Sequence, residues 1–586
     1  MTGFTTDFAR PRQAFRPATI VLGLVLAAVV VLGELHVSGS MLQPQPRPLT
    51  PLGRFGLILW SLLWFGGFGA LVLAVSARKL FTFTATIIAA LAILVLSATK
   101  FSYLNSKLMF IDLYFSLRER SEIEFLIAHY TEIVLGASVF IALAALALVL
   151  VWRRDSPLPN IRLKAGICAL LATLAIGGID RYVMPYSFKT SAFWRAQRDE
   201  RFFSDLFLSA QFFSEMLRMP IELPHATTPD PALVAELDNL EKAQAAPSGK
   251  RPHIILILHE SSVDPAIYFD GPRYAVQPAF FTSGDGVRRR LLVNTFGGNT
   301  WMSEHGALLG LDLSYLPGIG PFLGMVAVGK FANTLADELR ADGYRVMANY
   351  PSALSFQNTE RFYRSIGFDE VTTVAPLKPR RDRDYYDYAL GRLRAALAQE
   401  PSRPTFQMLW TLATHYPYKS PAFPDVRAAE IVAGDQAAEF ARRQRIAADD
   451  LAWFEHQLAA DFPGESFLVV GFGDHQPKIT ESYFSRGAGS PLRPVDAAET
   501  RFLTYFRVDG VNFEPRYDAL SPKASIGYLG EMILGAAGLP ASRAALARRW
   551  LRLHCSGLWF DCTDQKAVLA ANAVLSTGDT ALIRPD

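Results

Sequence analysis

The stretch Asn294-Thr295-Phe296-Gly297-Gly298-Asn299-Thr300-Trp301-Met302-Ser303-Glu304 decides how this chain reads. An apolar run ends there in paired glycines and a polar cluster that leads into an expected helix. A hydroxyl so placed stands at the carboxyl end of a strand and near a helix N-terminus, where backbone N–H groups favour a bound anion. Thr300 is the candidate nucleophile, with Asn299 and Trp301 beside it as candidate substrate contacts.

On either side of this stretch, from residue 251 on, the pattern is α/β. Short apolar runs at 253–258, 291–296, 344–348, 406–412 and 467–472 have the length and composition of buried strands. Helical patterns fall between them at 331–341, 386–399 and 436–460. The alternation predicts a central, mostly parallel sheet covered by helices on both faces, with ligands gathering at the carboxyl ends of the strands.

Polar constellations occupy those ends: His259-Glu260-Ser261-Ser262, Gly297-Gly298-Asn299-Thr300, Thr414-His415-Tyr416-Pro417 and Gly471-Phe472-Gly473-Asp474-His475-Gln476-Pro477. Glu260, Asp474 and His475 offer hard oxygen and imidazole ligands for a divalent ion, and the Thr300 oxygen is a fourth. Each signal has an ordinary alternative. A Gly-x-Asp-His loop is often a turn with an Asx cap; Glu260 could cap a helix, and His415 could be a satisfied core histidine. Their joint placement at four strand ends of one sheet favours a site.

Before residue 185 the chain is of another kind. Apolar runs at 17–33, 55–75, 80–99, 133–151 and 165–184 approach the roughly 20 residues that a bilayer core of about 30 Å requires. The last is short unless it extends through Tyr182-Val183-Met184. No clear small-x-small site follows the first run and more spans come after it, so it reads as an uncleaved anchor rather than a signal peptide. Arg10, Arg12 and Arg16, then Arg78 and Lys79, then Arg153, Arg154, Arg162 and Lys164 place three segments on the cytoplasmic side. Five spans then carry everything after residue 181 to the far side. The net charge of +3 is too small to suggest nucleic acid. Of three cysteines, Cys555 and Cys562 lie close together on the side where disulfides persist, which favours a bridge over two free thiols.

Residues 182–250 divide the two parts. The segment 182–219 mixes aromatic with basic residues, suiting helices at the headgroup level or amphipathic packing on the soluble part; 220–249 reads as a Pro/Ala-rich connector. Residues 101–131 have a similar interfacial look, and 485–499 reads as a mobile insertion.

The segments 257–262, 297–304, 413–418 and 471–477 resemble the four motifs of the alkaline-phosphatase/sulfatase superfamily. They most resemble its membrane-bound phosphoglycerol transferases, the lipoteichoic acid synthase and osmoregulated periplasmic glucan group. The stretch 344–370, with Arg361-Phe362-Tyr363-Arg364, is similar too. The resemblance implies a transmembrane domain (1–181), interfacial helices and linker (182–250) and an extracytoplasmic sulfatase-type catalytic domain (251–586) at a bacterial cytoplasmic membrane. It also implies Glu260, Thr300, Asp474 and His475 as ligands of one divalent ion, Mn²⁺ first, with Zn²⁺ or Mg²⁺ accepted by the same set. Thr300 would carry a covalent phosphoryl intermediate. His415 would bind the transferred head group or move a proton, and Arg361 would contact substrate. The donor would be an anionic phospholipid, phosphatidylglycerol, and the acceptor a periplasmic glucan or another envelope polymer. Departures occur after residue 348, where the synthases commonly carry a histidine, then a tryptophan and an arginine; this chain has Asn349, Tyr350, Gln357 and Thr359, with Arg361 nearby.

True sulfatases convert a Cys or Ser in a Cys/Ser-x-Pro/Ala-x-Arg context to formylglycine. Thr300-Trp301-Met302-Ser303-Glu304 lacks the cysteine, the proline and the arginine, which argues against sulfate-ester hydrolysis. A phosphoethanolamine transferase and a hydrolase of the same superfamily share the residues named and stay as alternatives. A non-catalytic membrane module would require a broken metal set, and here the set is complete.

Overall fold

The computed structural model describes residues 17–35, 51–104, 108–116, 123, 127, 131–182, 206–207, 221–244, 250–316, 319–374, 380–481 and 501–584. Helices occupy all five apolar runs: Pro17–Leu35, Pro51–Ser76, Lys79–Leu104, Thr131–Arg154 and Ile161–Tyr182. A helix satisfies its own backbone groups, which is what an apolar segment without water partners needs. Four contain stretches long and apolar enough to cross a membrane: Ile58–Ser76, Lys79–Lys100, Thr131–Arg154 and Ile161–Gly178. In the first helix the apolar stretch, Ile20–Leu32, is shorter. Thr131–Arg154 buries none of its residues, and side chains such as Leu135 and Ile141 face outward, where lipid would cover them. Two of the basic turns meet at one end of the bundle. The Arg78 guanidinium donates to Trp152 O at 2.8 Å and lies over that indole, while Asp155 accepts from Phe81 N at 3.0 Å.

Apart from Tyr182, Leu206 and Phe207, the expected interfacial segment 182–219 lies outside the described residues, as does the expected insertion at 485–499. The connector expected at 220–249 contains a helix, Pro231–Lys242. Asp230 caps it through Ala232 N, Pro231 fits its first turn, and Leu233 and Leu237, four apart, bury one face in the main core. An Asp-Pro start followed by an i, i+4 leucine pair was the signal.

The C-terminal part is built on one eight-stranded sheet in the order β4-β3-β5-β1-β6-β7-β2-β8. Its strands are β1 (His253–His259), β2 (Arg289–Leu292), β3 (Arg345–Tyr350), β4 (Glu370–Thr373), β5 (Thr405–Thr411), β6 (Phe467–Gly473), β7 (Leu503–Val511) and β8 (Lys523–Ser525). Only β7 runs against its neighbours in the sheet, pairing antiparallel with both β6 and β2. β1 shows why the sheet is covered on both sides. Ile254, Leu256 and Leu258 enter one core, which includes helix Arg543–His554, while Ile255 and Ile257 enter another beneath helices Asp382–Gln399 and Gln436–Asp461.

Two expected boundaries shift. The strand read at 291–296 is Arg289–Leu292, because Asn294 and the residues after it turn toward helix Thr300–Leu309 instead of continuing the ladder. The helix read from 331 begins at Leu335, where Thr334 and Asp337 form a capping box; Phe331 instead makes an isolated bridge to Ile583. A disulfide joins Cys555 to Cys562.

Candidate active site

β1, β5 and β6 lie side by side, and their carboxyl ends deliver Glu260, His415 and Asp474-His475 to one place. Ser261 adopts a left-handed conformation (φ 50°), which turns its N–H onto Asp474 Oδ1 at 2.7 Å while its hydroxyl donates to Glu260 Oε1 at 2.8 Å. Opposite, Gly473 is a glycine of necessity. A Cβ there would stand 2.1 Å from Ser262 O, so any side chain would drive the Glu260 and Asp474 turns apart.

The nucleophile candidate arrives from the other side. The turn before it uses left-handed Gly297 (φ 71°) and Asn299 (φ 59°), and helix Thr300–Leu309 follows directly. Asn299 makes no side-chain cap, and Met302 N donates to its carbonyl at 2.9 Å. Thr300 Oγ1 donates to Glu260 Oε2 at 2.8 Å and lies 3.5 Å from His475 Nε2. Gly297 N donates to Gln476 O at 2.9 Å, and the Ser303 hydroxyl donates to Asp474 O, stapling this helix to the β6 loop. The Thr414 hydroxyl donates to Glu260 O, tying the β5 loop to β1.

Glu260, Asp474 and His475 are buried, and their ligand atoms all fall within 4.8 Å of one another; among the described residues they form the one such group. Their chemistry fits a divalent cation. His475 Nδ1 lies 3.0 Å from Gln476 O, a contact that makes Nδ1 the donor and leaves Nε2 as a ligand. Asp474 Oδ1 accepts from two backbone N–H groups, whereas its buried Oδ2 accepts no hydrogen bond and lies 3.2 Å from His475 Nε2. Burial and the Glu260 charge push the Asp474 carboxyl up to about 8. Burial would raise Glu260 as well, but the His475 hydrogen bond and the His475 and His415 charges hold it down at about 2. Burial would lower His475; Asp474 and Glu260 override it and raise the imidazole to about 9. Protons therefore occupy the cluster where a cation would balance the same carboxylates.

The remaining candidates are placed differently. His415 is exposed at the rim, with Nδ1 near Tyr416 O, and its charge reaches Glu260. Trp301 is half-buried and its indole N–H is already given to Pro321 O at 2.8 Å, so it offers a ring face rather than a donor. Arg361 is exposed on helix Thr359–Ser365, and no hydrogen bond or ion pair among the described residues joins it to the Thr300 cluster.

Sequence reading missed the groups that hold these loops. Arg443 is 5% exposed; it pairs with Glu439 at 2.7 Å and donates to His415 O at 2.8 Å, Pro417 O at 2.9 Å and Ser420 O at 3.1 Å. Arg442, on the same Glu439, donates to the carbonyls of Ala422, Phe423 and Val426. Behind Thr300, Glu304 accepts from Tyr363 and from Trp410 Nε1; burial raises its carboxyl to about 7 against those two bonds. A Glu, Arg, Arg set at i, i+3 and i+4 ordinarily marks a solvated helix face, so only the burial reveals the clamp.

Residues 252–507 match the sulfatase family model, and this part of the chain is a sulfatase-family domain of the alkaline-phosphatase superfamily. A protein of undescribed activity from Haemophilus influenzae is 23% identical over 333 residues, covering 53% of this chain and 56% of that relative. The chain thus spans little more than half the length of that curated relative. Among solved structures, the lipooligosaccharide phosphoethanolamine transferase EptA from Neisseria meningitidis is similar over 89% of this chain and 97% of its own, with 12% identity and TM-score 0.49. The phosphoglycerol transferase GacH from Streptococcus pyogenes is similar over 61% and 94%, with 15% identity and TM-score 0.46. The lipoteichoic acid synthase LtaP from Listeria monocytogenes is similar over 52% and 78%, with 15% identity and TM-score 0.37.

Proposed function

We propose that the protein transfers a phosphoglycerol head group from an anionic phospholipid, phosphatidylglycerol, to an extracytoplasmic acceptor such as a glucan or glycerophosphate polymer. The observation that carries this reading is the Thr300 hydroxyl at a helix N-terminus, 2.8 Å from a carboxylate of the buried Glu260/Asp474/His475 set. The motif resemblance and the membrane helices supply the substrate class. Threonine in place of a formylglycine precursor weighs against sulfate esters despite the family's name.

Thr300 Oγ gives up its proton and attacks the phosphorus of the phosphodiester; the bond to the diacylglycerol oxygen breaks, and that oxygen takes a proton as diacylglycerol leaves into the bilayer. The glycerophospho-threonine is then attacked by an acceptor hydroxyl, whose proton passes to a base, and Thr300 Oγ leaves and regains a proton. In this reading His415 exchanges those protons. Glu260, Asp474, His475 and Thr300 would hold one divalent ion, Mn²⁺ in this reading, whose charge lowers the hydroxyl pKa and offsets phosphoryl charge. First-turn N–H groups of helix Thr300–Leu309 bind the phosphoryl oxygens, and the stapled loops keep the attacking oxygen in line. The protein would sit in a bacterial cytoplasmic membrane with the sulfatase domain on the periplasmic or extracellular side.

Head-group release from liposomes of phosphatidylglycerol, compared with phosphatidylethanolamine, tests the donor. Release of glycerophosphate from the first and its appearance on added glucan support the reading. Preference for phosphatidylethanolamine would move the assignment to phosphoethanolamine transfer, and release with no acceptor product would make the protein a hydrolase.

A further inference from the structure

Phe322 belongs to the sulfatase domain by sequence, yet it is 7% exposed and the cluster that buries it comes from the membrane side: Val30, Trp60, Phe65, Ala90 and Ile111, with Phe207. Val326, four residues on, packs against this cluster and against the main core of the domain. Val30 lies late in helix Pro17–Leu35 and Trp60 early in Pro51–Ser76, so the cluster sits toward the bundle end opposite Arg78 and Trp152.

The same segment also bears on the nucleophile. Pro321 O accepts the indole N–H of Trp301, the residue after Thr300. Asn358 Nδ2 donates to Gly324 O at 3.0 Å, and a Cβ on Gly324 would stand 2.4 Å from Gln357 O, so the segment lies flat on the 356–358 turn. Phe356 of that turn meets the Trp301 ring edge-on at 6.1 Å. One wall of the cleft is thus clasped to Trp301 on its inner side and inserted among membrane helices on its outer side.

We infer that residues 320–326 form a seat through which the membrane helices hold the Thr300 wall of the cleft at the bilayer surface, and that the seat is needed for a membrane-embedded phosphodiester but not for a water-soluble one. This rests on the proposed reading of Thr300 as a nucleophile toward phosphodiesters. A lipid phosphate rises only a short way from the bilayer, so the height and tilt of the cleft decide whether it reaches Thr300 Oγ; a dissolved ester arrives from any direction.

Two measurements on the full chain in proteoliposomes test it. In a Cys168→Ser background, Phe322→Cys is paired in turn with Ile111→Cys and with Phe207→Cys, and a short bismaleimide is added. The seat predicts an intramolecular cross-link in at least one pair; none in either overturns it, whatever the substrate. Phe322→Ala is then assayed with long-chain phosphatidylglycerol and with the soluble diester bis(p-nitrophenyl) phosphate. The expected result is a loss of about tenfold to hundredfold on the lipid, little change on the soluble ester, and recovery in Phe322→Leu. Equal losses on both esters, or none on either, overturn the role. If wild type cleaves the soluble ester but not the lipid, the donor reading fails, and the cross-link still decides whether the seat exists.

Discussion

Replacing Arg443 by lysine or by methionine separates what this buried cation does for stability from what it does for His415. Its guanidinium bridges Glu439 and three carbonyls of the loop that carries His415, at 2.7 to 3.1 Å. Breaking a buried ion pair costs roughly 3–5 kcal/mol when the partner charge is stranded. Here Glu439 keeps Arg442 at 2.8 Å, so Arg443→Met falls at the low end, about 3 kcal/mol. Arg443→Lys keeps a charge for Glu439, but a single ammonium cannot reproduce the planar fork across three carbonyls. It should cost about 1 kcal/mol of stability and still slow the steps that need His415. The assay is denaturant unfolding beside single-turnover kinetics that follow formation and decay of the Thr300 adduct. The expected signature in Arg443→Lys is adduct formation and decay both slowed about tenfold, since His415 exchanges a proton in each step. Wild-type decay in the lysine variant would refute the positioning argument, whatever the methionine variant does to stability.

Metal binding should release protons, because burial beside the Glu260 charge raises Asp474 and the two carboxylates raise His475, so the cluster holds a proton that a cation displaces. The sign follows: apparent Mn²⁺ affinity rises with pH, and calorimetry in buffers of different ionisation enthalpy should find net proton release near pH 7. Gly473→Ala places a Cβ 2.1 Å from Ser262 O, so it should push the Glu260 turn away from Asp474. It should weaken Mn²⁺ binding by about tenfold or more, read by the same calorimetry, while a modest change in melting temperature shows that the domain still folds.

The candidate cluster of Glu260, Asp474 and His475 was readable in sequence because these residues follow the compact apolar strands β1 and β6, and β1, β5 and β6 kept nearly their expected lengths. β4, β7 and β8 went unread. β4 and β8 are edge strands of four and three residues, too short for a period to register, and β7 is interrupted by Arg507, Asp509 and Gly510. Arg442, Arg443 and Glu439 read as a solvated helical face, since side-chain type alone does not tell that a loop folds over them. The helix Pro231–Lys242 was masked by its Pro/Ala-rich surroundings although its cap and leucine pair were in view. Arg361 lies exposed on the same helix that sends Tyr363 inward to Glu304, a division of the helix faces that its motif-like segment did not reveal.

Thr300 as the nucleophile toward phosphatidylglycerol is tested most directly by intact-protein mass spectrometry of wild type and Thr300→Ala after incubation with phosphatidylglycerol liposomes and Mn²⁺. Wild type should gain the mass of one glycerophosphate, mapped to Thr300 by peptide fragmentation, and the variant none. A gain that persists in Thr300→Ala would contradict that role, as would wild-type head-group transfer with no adduct on Thr300 under rapid acid quench.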